Sequence, residues 1–348
     1  MKKIKGVFGI AFLLLLLCAC TPSDEKNKTE SERKFLLGTT VQITIDQQGK
    51  RDVLEECFRL VQSLGERIDV NDASHESEID KINENAGRKF VKVDSNIFRL
   101  IEISLRYAKE SDGLFDPTIG PITSLWHIGF DDARKPSQAE IDQALKRINY
   151  KDVELDKKNE RVFLRKRDMK LDLGAIAKGF IADEVAELLQ KRKVKSSIID
   201  LGGNIYVLGH SFRGDFPWTV GIQDPNKARN TVIGYLKGEN ESFVTSGIYE
   251  RYLKVGGKTY HHLMNPKTGY PFENDLAGVT IQSKHSVDGD GLSTTLFALG
   301  VEKGKQFIEK MSGTEALFVT KDDKIEVTSG LVDSFELDSK SGYHLAAD

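Results

Sequence analysis

The chain has 348 residues, 39% hydrophobic and 30% charged. This excludes a disordered or fibrous polymer and suits a globular protein with one large domain or two closely packed ones. Net charge is −3; residues 1–19 hold three lysines and no acid, so a chain without them carries −6. A mildly acidic chain with no basic block argues against nucleic-acid binding.

Met1-Lys2-Lys3-Ile4-Lys5 is a basic start, and Val7 to Leu17 is an apolar stretch short for a membrane span. Leu17-Cys18-Ala19-Cys20 resembles a bacterial lipobox. The expectation is a lipoprotein signal over 1–19, a lipid on Cys20, and an extracytoplasmic protein anchored to the cell membrane through that lipid. The alternatives are an ordinary signal peptide or an uncleaved anchor. Of the three cysteines only Cys57 then remains, on a helical pattern with Val53, Leu54, Leu60, Val61 and Leu64. It reads as a core thiol, with no disulfide and no cysteine metal site in the mature fold.

Thr21 to Lys34 is polar, so 20–34 is expected to be a flexible tether. One compact folded unit is expected over 35–335, followed by a tail over 336–348. Leu37 to Ile45 alternates as a strand, and Asp52 to Ile68 has helical spacing. Asn71 to Ser77 is a polar loop before a short helix from Glu78, and Lys89 to Val93 is a short strand. Asp94 or Ser95 caps a helix ending at Gly113, and Ser137-Gln-Ala-Glu140 is a capping box for a helix to about Ile148. Arg161 to Leu173 alternates as a strand. Ile176, Phe180, Ile181, Val185, Leu188 and Leu189 form a helical stripe up to about Val194. Ser197 to Leu208, around Gly202-Gly203, is apolar; Trp218 to Ile222 and Thr231 to Leu236 are strands. Leu292 to Leu299 and Lys303 to Lys310 look helical, and Ala316 to Thr328 closes as a hairpin. With no repeat and no regular βαβ alternation, the fold class is α+β, mixed sheets with packed helices.

Asp172-Leu-Gly174-Ala175-Ile-Ala-Lys178-Gly179 reads as a strand end, a glycine turn and a helix start. Such a turn gathers backbone N–H groups, the positive end of a helix, a carboxylate and an ammonium, which suits a phosphate or metal-phosphate site. Alone, it reads equally as a capped strand with a surface lysine. Four other stretches are dense in small and polar residues: Gly113-Leu-Phe-Asp116-Pro-Thr-Ile-Gly-Pro121, Asp200-Leu-Gly-Gly-Asn204, Thr245-Ser246-Gly247 onward to His261-His262-Leu-Met-Asn265-Pro-Lys-Thr-Gly-Tyr-Pro271, and Asp288-Gly-Asp290-Gly-Leu-Ser-Thr294-Thr295. Of adjacent strand residues His261 and His262, only one can face a given site, which suits acid–base work or phosphate contact better than chelation. The Asp288 stretch is not an EF-hand, because position five is Leu292 and no closing Glu follows. Asp290 and Thr294 are four apart at a helix start and can hold a hard cation such as Mg²⁺; otherwise Asp290 is a plain N-cap.

In this order the stretches closely resemble the FAD:protein FMN transferase family, also called ApbE, from about Phe35 to the last hairpin. The resemblance implies an ApbE-like, T-fold-like α+β unit. It implies a Mg²⁺-dependent transferase that cleaves FAD and attaches FMN through a phosphoester bond to a Thr or Ser hydroxyl of a redox partner protein, releasing AMP. It implies Asp290, Thr294 and the Ala175 carbonyl as metal ligands, and His262 beside the reacting phosphate. Lys178, Asp116, Asp172, Gly174 and Ser246 would line the nucleotide site, and Asn71 is a further candidate. The acceptor would be an extracytoplasmic or membrane redox protein with a Ser/Thr-Gly-Ala-Ser/Thr-like motif. Competing expectations are a Mg²⁺-dependent FAD pyrophosphatase giving FMN and AMP, a non-catalytic FAD-binding lipoprotein, and a solute-binding lipoprotein.

Overall fold

The computed structural model describes residues 29–71, 74–228 and 231–346. The signal segment, the lipidation site Cys20 and most of the proposed tether lie outside the described residues. The fold begins with the hairpin β1 (Glu30–Leu36) and β2 (Thr39–Ile45), paired from Glu30↔Ile45 to Leu36↔Thr39. Glu30 to Lys34 is thus strand where a tether was expected. As an edge strand, β1 pairs through its backbone and leaves polar side chains in water, so no hydrophobic alternation marked it. The turn takes Leu37 and Gly38 at φ 55° and 66°, the primed geometry of a two-residue hairpin.

Next come α1 (Arg51–Ile68), α2 (Glu78–Glu84), β3 (Val91–Lys92) and α3 (Ser95–Glu110), then α4 (Gly120–Trp126) and α5 (Gln138–Leu145). Buried Val53, Leu54, Cys57, Val61 and Leu64 lie on one face of α1, as their spacing predicts. Ser77 and Ser137 head capping boxes with Asp80 and Glu140, and Asp94 accepts from the Asn96 N–H to cap α3. The short strands β4 (Val153–Asp156) and β5 (Arg161–Leu164) join β3 in a small sheet ordered β3-β5-β4.

The strand expected through Leu173 stops at Leu164. Residues 165–176 wind back in turns, touching Ile119 through a lone bridge at Lys170. The chain continues with α6 (Ala177–Lys191), β6 (Ser197–Leu201), β7 (Asn204–Leu208), β8 (Trp218–Gln223) and β9 (Val232–Gly238). It goes on with β10 (Glu241–Gly247), β11 (Tyr252–Val255), β12 (Lys258–His261), β13 (Leu276–Ser283) and α7 (Ser286–Ile308). The last strands are β14 (Thr314–Thr320), β15 (Lys324–Val327), β16 (Glu336–Leu337) and β17 (His344–Leu345).

Among the described residues the central sheet has nine strands in the order β1-β2-β6-β7-β10-β13-β14-β15-β17, antiparallel except for β15–β17. One face carries the main core with α1, α6 and α7 (Leu54, Ile181, Val185, Leu296 and Phe297). A second core, with Trp218, Ile233, Phe243 and Phe335, lies under the three-stranded sheet β16-β9-β8.

The expected tail is part of the fold. β16 pairs with β9, β17 pairs with β15, and the buried Tyr343 donates its hydroxyl to the Asp224 carboxylate at 3.0 Å. Asp224 is itself fully buried. Tyr343→Ala should therefore cost about 3 kcal/mol in chemical denaturation, from lost packing and a buried carboxylate deprived of a donor; a change below about 0.5 kcal/mol would show that the end of the chain is dispensable.

Candidate active site

The start of α6 is held by the end of another helix. Asp172 closes the preceding turn: one carboxylate oxygen accepts from the Gly174 N–H (2.9 Å), the other from the Thr123 hydroxyl of α4 (2.6 Å). Ile176 and Ala177 donate their N–H groups to the Leu173 carbonyl. Gly179, in the first turn, donates its N–H to Asp290 Oδ2 at 2.6 Å rather than to the carbonyl of Ala175 four residues back. The Ala175 carbonyl therefore accepts no backbone hydrogen bond among the described residues, and Ala175 borders the cleft described below.

Asp290 is not an N-cap. The helix begins earlier, at Ser286, which puts Asp290 in its second turn with Thr294 one turn on along the same face. The two helices cap each other. Asp290 of α7 takes the Gly179 N–H of α6, while Asp183 of α6 takes the Ser286 and Val287 N–H groups that open α7 (2.7 and 2.9 Å). Burial, with Asp288 and Asp290 near, pushes the Asp183 carboxyl up to about 7 against those two donors. The other Asp290 oxygen accepts from Asn204 Nδ2 (3.2 Å). The amide oxygen of Asn204 accepts from the Ser286 hydroxyl (2.6 Å), which accepts from the Ser242 hydroxyl (2.8 Å). Burial raises the Asp290 carboxyl, opposed by the Lys178 charge and by these donors.

Lys178, also in the first turn of α6, forms no ion pair or hydrogen bond among the described residues, and its charge favours ionised Asp290 and neutral His262. The Arg251 carbonyl accepts from both the backbone N–H (3.1 Å) and Nδ1 (3.2 Å) of His262. Surrounding protein pushes the His262 pKa down to about 4, although the residue is only half-buried and lines the cleft. A neutral ring donating from Nδ1 keeps a lone pair on Nε2. His261 points the other way: buried, it donates Nε2–H to the Phe272 carbonyl (2.9 Å) and accepts at Nδ1 from Leu263.

One cleft of about 660 Å³ brings together the site residues that the resemblance implies and the further candidate Asn71: Asn71, Asp116, Asp172, Gly174, Ala175, Lys178, Ser246, His262, Asp290 and Thr294. They do not all have free polar atoms. Both oxygens of Asp116 are engaged, one by the N–H and hydroxyl of Thr118 and the other by the Tyr150 N–H, so Asp116 ties its loop together while bordering the cleft. Ser246 shares a hydrogen bond with Ser293 at 2.8 Å. The Asn71 N–H is tied to Asp69. Asp290, the Thr294 hydroxyl and the Ala175 carbonyl are hard oxygen donors on one cleft. Among the described residues no three His, Cys, Asp or Glu side chains gather as a cage. One carboxylate with neutral oxygens fits Mg²⁺, which keeps waters and takes its remaining ligands from substrate phosphates.

A profile of the ApbE family matches residues 37–318. The chain belongs to the ApbE family. Among proteins similar to this ApbE-family chain, the FAD:protein FMN transferase of Klebsiella pneumoniae (strain 342) is 37% identical over 303 residues, covering 87% of this chain and 93% of that protein. That of Treponema pallidum (strain Nichols) is 34% identical over 354 residues, 96% of each. A crystal structure of an ApbE protein from Thermotoga maritima superposes with a TM-score of 0.80 at 32% identity, over 87% of this chain and 98% of that one.

Sequence reasoning missed the parts of this ApbE-family site that carry no distinctive chemistry. The apolar wall includes Phe115, Ile119, Trp126 and Phe130, with the His127 and Phe130 rings stacked at 4.1 Å. Only the early stretch from Gly113 to Pro121, followed by Leu125-Trp126, pointed there. The links from Asn204 and Asp183 to Asp290 and α7 join residues far apart in sequence, and no local pattern announces them.

Proposed function

We propose that this chain is a Mg²⁺-dependent FAD:protein FMN transferase, lipid-anchored through Cys20 on the extracytoplasmic side of the cell membrane. The observation that carries the reading is the meeting, in one cleft of an ApbE-family fold, of three oxygen donors, Lys178 with no ion pair among the described residues, and His262 held through Nδ1 on the Arg251 carbonyl. FAD would lie along the cleft, its flavin against the apolar wall and its pyrophosphate at the start of α6, where helix polarity and Lys178 favour negative charge. Asp290, Thr294 and the Ala175 carbonyl would hold Mg²⁺, which supplies charge neutralisation at the pyrophosphate when bound. His262 Nε2 would take the proton of the acceptor Thr or Ser hydroxyl as its oxygen bonds to the FMN phosphorus. The bond to the AMP phosphate then breaks, and AMP leaves with the bonding electrons. The acceptor would be an extracytoplasmic redox protein with a Ser/Thr-Gly-Ala-Ser/Thr-like motif.

The test incubates the protein with FAD, Mg²⁺ and an acceptor carrying that motif, then denatures and weighs the acceptor. A gain of one FMN, lost with chelator, is the expected result. AMP and free FMN without a gain in mass would make the chain a hydrolase, and bound FAD with no AMP a flavin carrier.

The state of His262 sets the pH dependence. A histidine of ordinary pKa is roughly nine-tenths protonated at pH 5.5. His262, depressed to about 4, stays neutral there and loses base function only as pH falls through that value. The acid limb of kcat/KM should therefore lie near pH 4, and one near 6.5 would remove His262 as the base. His262→Ala should lower kcat about 10²- to 10³-fold with little change in stability.

A further inference from the structure

The cleft and Glu30, the first residue of β1, lie at opposite ends of the nine-stranded sheet. Gly38 and Thr39 at the β1–β2 turn, Gly202 at the β6–β7 turn and Thr245 to Gly247 at the end of β10 border the cleft. Glu30, where the described fold begins, is at the other end, level with Ile45, Ser197, Leu208 and the start of β10. β1 separates the two ends by about 20 Å at the usual strand rise. α6 spans the same gap, about 22 Å, with Lys178 at the cleft and its C-terminus at the far end.

At that far end a short basic run, Lys191-Arg192-Lys193-Val194-Lys195, meets the loop after β7. The Asp46 N–H donates to the Ser196 carbonyl at 3.1 Å, and the Ser196 hydroxyl donates to the His210 carbonyl. Lys191 and Arg192 are paired with Glu187 and Glu56, and Asp215 and Glu239 flank His210. Lys193, Lys195 and Arg213 are exposed and form no ion pair with any described residue. Phe216 stands 66% exposed on the same loop, which is closed by the Ser211 N–H on the Phe216 carbonyl (2.8 Å) and anchored by Phe212 packing edge-on against Trp218 at 4.5 Å. A braced loop that carries an exposed ring and Arg213, with Lys193 and Lys195 at the same sheet end and Asp215 beside the ring, has the chemistry of a lipid interface: the ring enters the headgroup region while the cations meet phosphates.

We propose that this sheet end, with Phe216, Arg213, Lys193 and Lys195, rests on an anionic phospholipid surface and turns the cleft away from it. The proposal rests on the reading of a lipidated Cys20. The stretch from Cys20 to Glu30 reaches at most about 35 Å, which holds the Glu30 end within that distance of the bilayer; because this exceeds the roughly 20 Å between the sheet ends, it is contact at Phe216 and the cations, not the tether, that turns the cleft away. Transfer would then occur more than about 20 Å above the membrane, on acceptor domains that stand clear of it.

The test uses the whole lipidated chain in vesicles of phosphatidylglycerol and phosphatidylcholine, and of phosphatidylcholine alone. Phe216→Cys and, separately, Phe35→Cys at the cleft end are labelled with an environment-sensitive fluorophore; Cys57 is buried and Cys20 would carry the lipid. The expected result is a blue-shifted label at 216, quenched by a lipid-chain quencher, and an aqueous label at 35. Combining Lys193→Glu, Lys195→Glu and Arg213→Glu, or removing phosphatidylglycerol, should lower quenching at 216 at least roughly fivefold. An aqueous label at 216 on a chain that floats with the vesicles overturns the surface and spares the anchor. A quenched label at 35, or quenching at 216 indifferent to the cations, also overturns the surface. A chain that floats with neither vesicle overturns both.

Discussion

FMN transfer by an Asp290→Ala protein should fall at least about 10³-fold, and added Mg²⁺ should not restore it. Asp290 is the one carboxylate of the proposed metal site, so its removal leaves a hydroxyl and a carbonyl that cannot balance the charge of a divalent cation. The substitution also strips the acceptor from the Gly179 N–H and the Asn204 amide, at about 1–3 kcal/mol for each buried donor left unpaired, partly offset by removing a buried charge. Asp290→Asn separates the two effects: it keeps an oxygen for Gly179, so it should retain more stability while sharing most of the loss in rate. Initial rates of AMP release against Mg²⁺ concentration, beside melting curves, make the comparison. A tenth of normal activity in the alanine variant would put the metal elsewhere.

The second large effect is expected where nothing reactive is present. A Cβ on Gly179 would lie 2.3 Å from the Ser286 carbonyl oxygen and 2.8 Å from the Val287 Cα, both backbone atoms of α7. Gly179→Ala should therefore force α6 and α7 apart, cost about 3 kcal/mol in denaturant titrations, and lower transfer because the Gly179 N–H retreats from Asp290. A variant of unchanged stability would mean that the two helices are less tightly interlocked than their contacts imply. Gly203→Ala offers a contrast, since space is open around it and its penalty comes only from φ of +95°.

The helices that announce themselves with caps were legible, as Ser77, Asp94 and Ser137 illustrate, because a cap is local chemistry. The residues of the cleft were legible because short motifs carried them. What was not legible depended on pairing or on close approach. The helix was expected from Leu292, yet it begins at Ser286, so Asp288 to Gly291 are helix as well. Gly289 lies against Val244 and Gly291 against the Tyr107 ring, contacts a larger residue would block, so these glycines mark packing rather than a turn. The polar β1 escaped notice because its partner β2, rather than its own composition, makes it a strand. β16 and β17 are each two residues long, below the length at which alternation means anything.

The mutual capping of α6 and α7 also bears on timing. The acceptor that completes the first turn of α6 belongs to a residue that enters the chain more than a hundred positions later. β2 likewise waits for β6, which lies about 150 residues further on. Until α7 has been made, the start of α6 offers an N–H with no acceptor and a lysine with no neighbouring carboxylate. A nascent or prematurely ended chain can therefore carry most of the recognisable motifs and yet have no centre. Folding by such distant closures is slow, so competence should arrive late and in one step, after the last third of the chain is free to dock.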